Sequence, residues 1–243
     1  MWVLALDTTT RDGSVALVRD DTVVVARPGE AGLSHAERVP SDLRAVLADA
    51  DLALAAIDLF AVATGPGGFT GLRIGLAAVQ GLATALDRPT AGVPSLAALA
   101  WEVFAGEPAA TTAAAWMDAS RGEVFAAAYA RPSAGVAAPW PMTALTPSTA
   151  AAPQDTLDAW HATVPMTAPI AMACRAEARD LAIAAGRTVV TAAPLLAGVI
   201  GRLAWRMHRD GLSGPAASLA PEYVRRPDVE IERDRQRALA ARG

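Results

Sequence analysis

Trp2-Val3-Leu4-Ala5-Leu6-Asp7, followed by Thr8-Thr9-Thr10-Arg11-Asp12-Gly13, sets the architecture expected of this chain. The first six residues read as a buried strand that ends on a carboxylate, and the polar run after them reads as a turn. Ser14 to Arg19 and Thr22 to Arg27 read as two more short strands around Asp20-Asp21, so the chain opens as an antiparallel meander. Ser34 and Glu37 have capping-box spacing, and Leu43, Val46 and Leu47 recur at helical intervals, which predicts a helix over Ser34 to Ala50. Pro40 predicts a kink in that helix or a later start. A strand over Ile57 to Thr64, a glycine-rich turn, a helix over Leu72 to Leu86, a strand over Thr90 to Val93 and a helix over Ser95 to Phe104 follow.

The order β-β-β-α-β-α-β-α is that of a ribonuclease-H-like half. A second half begins near Thr111, where Ala113 to Met117, Asp118, the Ser120-Arg121-Gly122 turn and Glu123 to Tyr129 repeat the sequence strand, Asp, turn, strand. Later elements are a strand at Ile170 to Ala173, a helix at Ala176 to Ala185, a strand at Arg187 to Thr191 and a helix from Leu195 to His208. The fold class expected is α/β: two ribonuclease-H-like halves of the actin/sugar-kinase/Hsp70 (ASKHA) superfamily, the second half reduced. Gly106-Glu107-Pro108 is the linker candidate, dividing the chain into 1–106, 107–225 and a charged tail, 226–243, expected to fray. Pro132 to Pro153 is expected to mix a strand with loops.

Composition narrows the function. A chain of 243 residues exceeds the size typical of one core, about 100–150 residues, and suits two modest domains. With 21 Lys and Arg against 25 Asp and Glu the net charge is −4, so the fold lacks the basic field that holds a phosphate backbone. Cys174, the one cysteine, excludes an intrachain disulfide and a multi-thiolate zinc site, the usage of a reducing compartment. No secretory signal is read at Met1 to Leu6 and no membrane span elsewhere, so a cytoplasmic location is expected. His35, His161 and His208 are widely separated, which argues against a histidine metal pair or a Ser/His nucleophile.

Gly65-Pro66-Gly67-Gly68-Phe69-Thr70-Gly71-Leu72-Arg73-Ile74-Gly75 sits between a strand and a helix. No Lys-Ser/Thr pair follows it and its glycines do not fit a dinucleotide fingerprint, so a tight structural turn is the favoured reading over a phosphate cradle. The segment resembles the signature of the TsaB (YeaZ) family. Leu4 to Thr9, His35, Gly92-Val93-Pro94-Ser95-Leu96, the Asp118 to Glu123 turn and Pro221-Glu222-Tyr223-Val224-Arg225 match that family in order.

The resemblance implies a non-catalytic subunit of the complex that installs threonylcarbamoyl on an adenosine of tRNA, 3′ of the anticodon. Such a subunit docks onto a TsaD-like catalytic relative and works with a TsaE-like ATPase. It meets tRNA through the complex, forms a homodimer in isolation or none, and needs no membrane. The catalytic relative holds its metal with an His-x-x-x-His pair after a Gly-Val strand; here Ser95 and Leu99 stand at those positions, and no metal site is expected.

The family docks through the first two helices, which nominates His35, Leu43, Arg73, Ile74, Ala77, Ala78 and Gly81 as partner-interface residues. The second helix has two apolar stripes: Leu72, Leu76, Val79, Ala83 and Leu86 on one side, Ile74, Ala78, Gly81 and Ala85 on the other. Asp7, Thr8 and Asp118 stand where the superfamily manages ATP phosphates and are expected to face a shared cleft. Structural or vestigial roles are favoured for them, with no cofactor required by this chain and ATP or ADP allowed at a partner interface. The alternative function is an actin-like-fold ATPase or small-molecule kinase; a metallopeptidase is disfavoured by the missing ligand pair.

Overall fold

The structure is a computed structural model and describes residues 1–30, 32–131, 142–191 and 195–225. The tail 226–243 and residues 132–141 of the Pro-rich segment lie outside the described residues. The first half contains β1 (Trp2–Asp7), β2 (Ser14–Arg19), β3 (Thr22–Pro28), α1 (His35–Asp49), β4 (Leu59–Gly65), α2 (Phe69–Leu86), β5 (Thr90–Pro94) and α3 (Ser95–Gly106). The second contains β6 (Thr112–Asp118), β7 (Val124–Ala130), β8 (Thr143–Ala144), β9 (Thr149–Ala151), α4 (Pro153–Trp160), β10 (Ile170–Ala173), α5 (Ala176–Ala184), β11 (Val189–Thr191) and α6 (Leu196–Arg209).

The first sheet has the order β3-β2-β1-β4-β5, and the second β11-β10-β6-β7-β8, with β9 also on β7. In each, a hairpin (β1–β2 or β6–β7) is antiparallel, and two strands reached by crossover helices (β4 and β5, or β10 and β11) add in parallel. The two halves thus repeat one topology, the second with a fragmented third strand and with α5 half the length of α2.

Alternation along the strands explains the layering. Val3 and Ala5 face the core between the sheets, whereas Leu4 and Leu6 face the outer core under α1 and α2. In the same way Ala113, Ala115 and Met117 point to the middle while Ala114 and Trp116 point to the outer core under α4 and α5. The middle layer is α3 and α6, which touch each other and exchange sheets: α3 packs mainly on β6, β7 and β10, and α6 on β1, β2 and β4. The segment 107–225 therefore supplies a helix to the first sheet, and its alanine-rich strands suit this tight helix-on-sheet packing.

Helix boundaries follow local chemistry. The Glu37 carboxylate accepts the Ser34 amide (2.9 Å) and hydroxyl (2.6 Å), and α1 runs from His35 straight through Pro40, without the later start that Pro40 allowed. Helix α2 begins at Phe69, three residues before the expected Leu72, because the Gly68 carbonyl already accepts the Leu72 amide at 2.9 Å. It ends on Asp87 in the left-handed region, φ 50°. Helix α4 was not expected. It starts on Pro153 at its first position, with Asp155 in the first turn and Leu157 and Trp160 buried at i, i+3.

Candidate functional site: a strapped cleft and the outer face of the second helix

The matching segments meet around the glycine-rich turn. The glycine-rich turn lies directly on the β1–β2 turn: Gly68 donates its amide to the Thr9 carbonyl at 3.1 Å. A Cβ on Gly67 would stand 2.4 Å from the Thr9 Cβ, one on Gly71 2.2 Å from the Thr8 carbonyl oxygen, and one on Gly75 2.2 Å from Thr8 Oγ1. The glycines are present because two backbones touch, which fulfils the structural reading of this turn.

Beneath it, Asp7 is 1% exposed. Its Oδ1 accepts the Thr9 amide (2.8 Å) and Thr9 hydroxyl (2.6 Å), and its Oδ2 accepts the Thr10 hydroxyl (2.9 Å). Ser95, also buried, donates its hydroxyl to Thr9 Oγ1 at 3.1 Å, and Leu99 sits in the central core. Thr8 Oγ1 is buried without a hydrogen-bond partner, packed against Gly75. Asp7 and Thr8 therefore offer no open oxygen to a metal-bound phosphate, and the residues of this turn do not fit that group.

Asp118 is different. It accepts the Ser120 amide at 2.9 Å and Arg175 Nε at 3.3 Å, and its side chain is 37% exposed. It lines a cleft of about 170 Å³ with Pro66, Phe69, Phe125, Glu222, Tyr223 and Arg225. The expectation that Asp7 and Asp118 face one cleft is corrected: Asp7 is sealed beneath the glycine turn, and Asp118 alone of the pair reaches the cleft.

A C-terminal strap closes this cleft. After α6, Gly214 bridges Thr90 on β5, Gln80 on α2 donates to the Ala216 and Leu219 carbonyls, and the Glu222 amide donates to the Thr64 carbonyl at 2.7 Å. Tyr223 lies against Phe69 with centroids 5.3 Å apart. Arg225 donates to Ala119 O and Glu123 Oε2, which ties the strap to the β6–β7 turn. Phe69, Tyr223 and Arg225 were not nominated from sequence as site residues, although all three lie in segments that carry the resemblance.

The nominated interface residues divide by geometry. Leu43 is a core residue, 9% exposed beneath α1. The half-buried His35 ring packs on Gly71, with Nδ1 accepting Arg38 Nη2 at 2.8 Å. Burial, then the Arg38 cation, push the His35 pKa below its ordinary value. Arg73, Ala77 and Gly81 are exposed on the outer face of α2, with Ile74 and Ala78 half-buried along its edge. Of the two stripes expected on this helix, Leu72, Leu76, Val79 and Ala83 form the core-facing one and Gly81 and Ala85 are open. Helix α2 is also long and apolar enough to cross a membrane by composition, but its core stripe lies on the first sheet.

Two repeated sheets with exchanged central helices define an α/β protein of the ASKHA class, and an 8% identical solved structure, (R)-2-hydroxyglutaryl-CoA dehydratase component A of Acidaminococcus fermentans, shares that fold at a TM-score of 0.50 over 87% of this chain and 99% of its own. YeaZ from Pseudomonas aeruginosa matches at a TM-score of 0.72 and 30% identity, over 91% of this chain and 99% of that one. The chain belongs to the TsaB/YeaZ family. The family model described as TsaD, tRNA N6-adenosine threonylcarbamoyltransferase, matches residues 24–136. The tRNA threonylcarbamoyladenosine biosynthesis protein TsaB of Escherichia coli is 37% identical over 136 residues, 56% of this chain and 58% of that protein. An uncharacterised protein of Mycobacterium tuberculosis is 31% identical over 94% of this chain and 93% of its own.

Proposed function

We infer that this chain is a non-catalytic subunit in threonylcarbamoyladenosine formation on tRNA, docking through the outer face of α2 onto a TsaD-like catalytic protein. The observation that carries the reading is the pair Ser95 and Leu99. The resemblance puts them where the catalytic relative has its metal-binding histidines, and in this structure they are a hydroxyl spent on Thr9 and a core leucine. The buried Asp7 and Thr8 support the same reading against an ATPase or kinase. A net charge of −4 supports a division of labour in which the partner holds most of the tRNA. A TsaE-like ATPase, and ATP or ADP at the partner interface, belong to the assembled complex in this reading, and the location proposed is the cytoplasm.

The purified chain should form no threonylcarbamoyladenosine from threonylcarbamoyl-adenylate and tRNA, and should support formation once a TsaD homologue is added. Robust activity of the chain alone would defeat the reading. Gly81→Arg tests the surface: a Cβ there meets nothing within 4 Å, so the variant should melt near the parent temperature and no longer co-elute with the TsaD-like protein. Calorimetric titration with ATP and magnesium should give no heat of binding from the chain alone; saturable binding would favour the kinase reading.

A further inference from the structure

Arg73 is the only charged residue in the 18 residues of α2. It stands at the N-terminal end of the exposed face that continues through Ala77, Gly81, Thr84 and Ala85. Its guanidinium is packed against two rings and a hydroxyl. Cζ lies 3.9 Å from the Phe69 ring centroid and 5.6 Å from that of Tyr223, and Nε donates to Tyr223 Oη at 2.7 Å. Phe69 belongs to α2 and Tyr223 to the strap, which Gln80 and Thr64 fasten from below. Among the described residues Arg73 donates through Nε to Tyr223 alone, no carboxylate pairs with it, and its two Nη groups have no hydrogen-bond partner.

We propose that Phe69, Arg73 and Tyr223 form an anchor that receives an Asp or Glu carboxylate from a helix of the docking partner, so that the strap is part of the docking surface. The proposal rests on the reading of α2 as that surface. A guanidinium held by two rings and a hydroxyl has lost its rotamer freedom before docking, so an end-on fork of both Nη groups forms at little further entropic cost. Arg and Tyr are also the residue types that dominate binding energy where water is excluded. The rest of the face is Ala, Gly and Thr, which buries little area in a lipid surface but lets a second helix approach closely. A partner helix with small residues and one acid near its end fits this surface. An antiparallel second copy would bring Asp87, beyond the C-terminal end of α2, toward Arg73; that is the competing occupant.

The experiment measures affinity of the full chain for the TsaD-like protein of the same cell. Gly81→Arg tests the face, and Arg73→Glu, Arg73→Lys, Tyr223→Phe and Asp87→Arg test the anchor. Arg73→Glu should weaken binding about 30-fold or more, Arg73→Lys by an intermediate factor, and Tyr223→Phe by about threefold, with melting temperatures close to the parent. Asp87→Arg should leave the hetero-complex unchanged. If Gly81→Arg abolishes binding while Arg73→Glu binds within twofold of the parent, the docking face stands and the anchor is overturned. If Asp87→Arg weakens binding as much as Arg73→Glu, or if Arg73→Glu abolishes only self-association, the second copy is the occupant and the proposal fails. Arg73-dependent sedimentation with phosphatidylglycerol vesicles would overturn it in favour of a membrane.

Discussion

Asp7 and Asp118 end equivalent strands in two halves of the same topology, yet one is sealed and the other open. Both begin a strand, Asp, turn, strand sequence. Over the first turn, Gly67, Gly71 and Gly75 let the glycine-rich turn and the start of α2 settle onto Thr8 and Thr9, and three donors surround the carboxylate. Over the second turn the described residues lay no such loop, because β10 leads through Arg175 into the short α5. Asp118 keeps one oxygen on its own turn and one on the exposed Arg175. A repeated motif therefore fixes where a carboxylate stands along its strand, and the element laid across it fixes whether it can serve anything outside.

The largest test of that difference is removal of each carboxylate. Asp7→Ala leaves the buried Thr9 amide and hydroxyl and the half-buried Thr10 hydroxyl without their acceptor, and should cost about 3 kcal/mol. Asp118→Ala removes a surface pair and one turn hydrogen bond, and should cost about 1 kcal/mol or less. Thermal unfolding of the two variants measures both, and equal costs would break the contrast. Next in size are two glycines of α2. Gly75→Ala drives a methyl to 2.2 Å from Thr8 Oγ1 and should destabilise by about 1–3 kcal/mol. Gly81→Ala meets open space in a helix interior and should stabilise by about 0.5–1 kcal/mol. A neutral Gly75→Ala would mean that the glycine turn is not pressed onto β1–β2.

Much of this arrangement was legible in the sequence. The strand, Asp, turn, strand repeat gave both hairpins, whereas two apolar stripes on opposite sides of α2 left open which side meets the sheet, because periodicity reports that a face is apolar and not what covers it. What pairs across the chain was not legible. Leu43 repeats at helical spacing, which marks a residue that must be covered but not by what, and its cover is the chain's own core. Tyr223 reaches Arg73 across 150 positions of sequence, a contact that no local pattern encodes. Helix α4 was hidden by its Pro- and Ala-rich context, although Pro153 and Asp155 are ordinary helix-start signals.

Titration offers a smaller test. His35, in the first half, is held below its ordinary pKa by burial and by Arg38, and its Nδ1 accepts from that arginine. Its unfolded counterpart takes up a proton more readily, so the associated stability is present above about pH 6.5 and is lost as pH falls through the folded pKa. His35→Gln should flatten the acid side of the melting-temperature profile below pH 6.5, and an unchanged slope would defeat this assignment.

The smallest expected effect lies in the second half and reads the openness of Asp118 through a neighbour. Burial, with the Asp118 charge adding to it, pushes the Cys174 thiol up to about 11. A thiol raised in this way stays neutral in the folded chain while the unfolded chain ionises near pH 8.5. Its stabilising contribution is therefore full below that pH and lost as pH rises toward 11. Alkylation by iodoacetamide should be slow at pH 8 and climb with a midpoint near 11. Asp118→Asn removes the charge but not the burial, which is the larger cause, so the midpoint should move down only slightly. Asp7→Asn should not move it, because no Asp7 charge acts on that thiol. A midpoint near 9 in the parent would place Cys174 in water, and a shift with Asp7→Asn as large as with Asp118→Asn would erase the distinction between the two carboxylates.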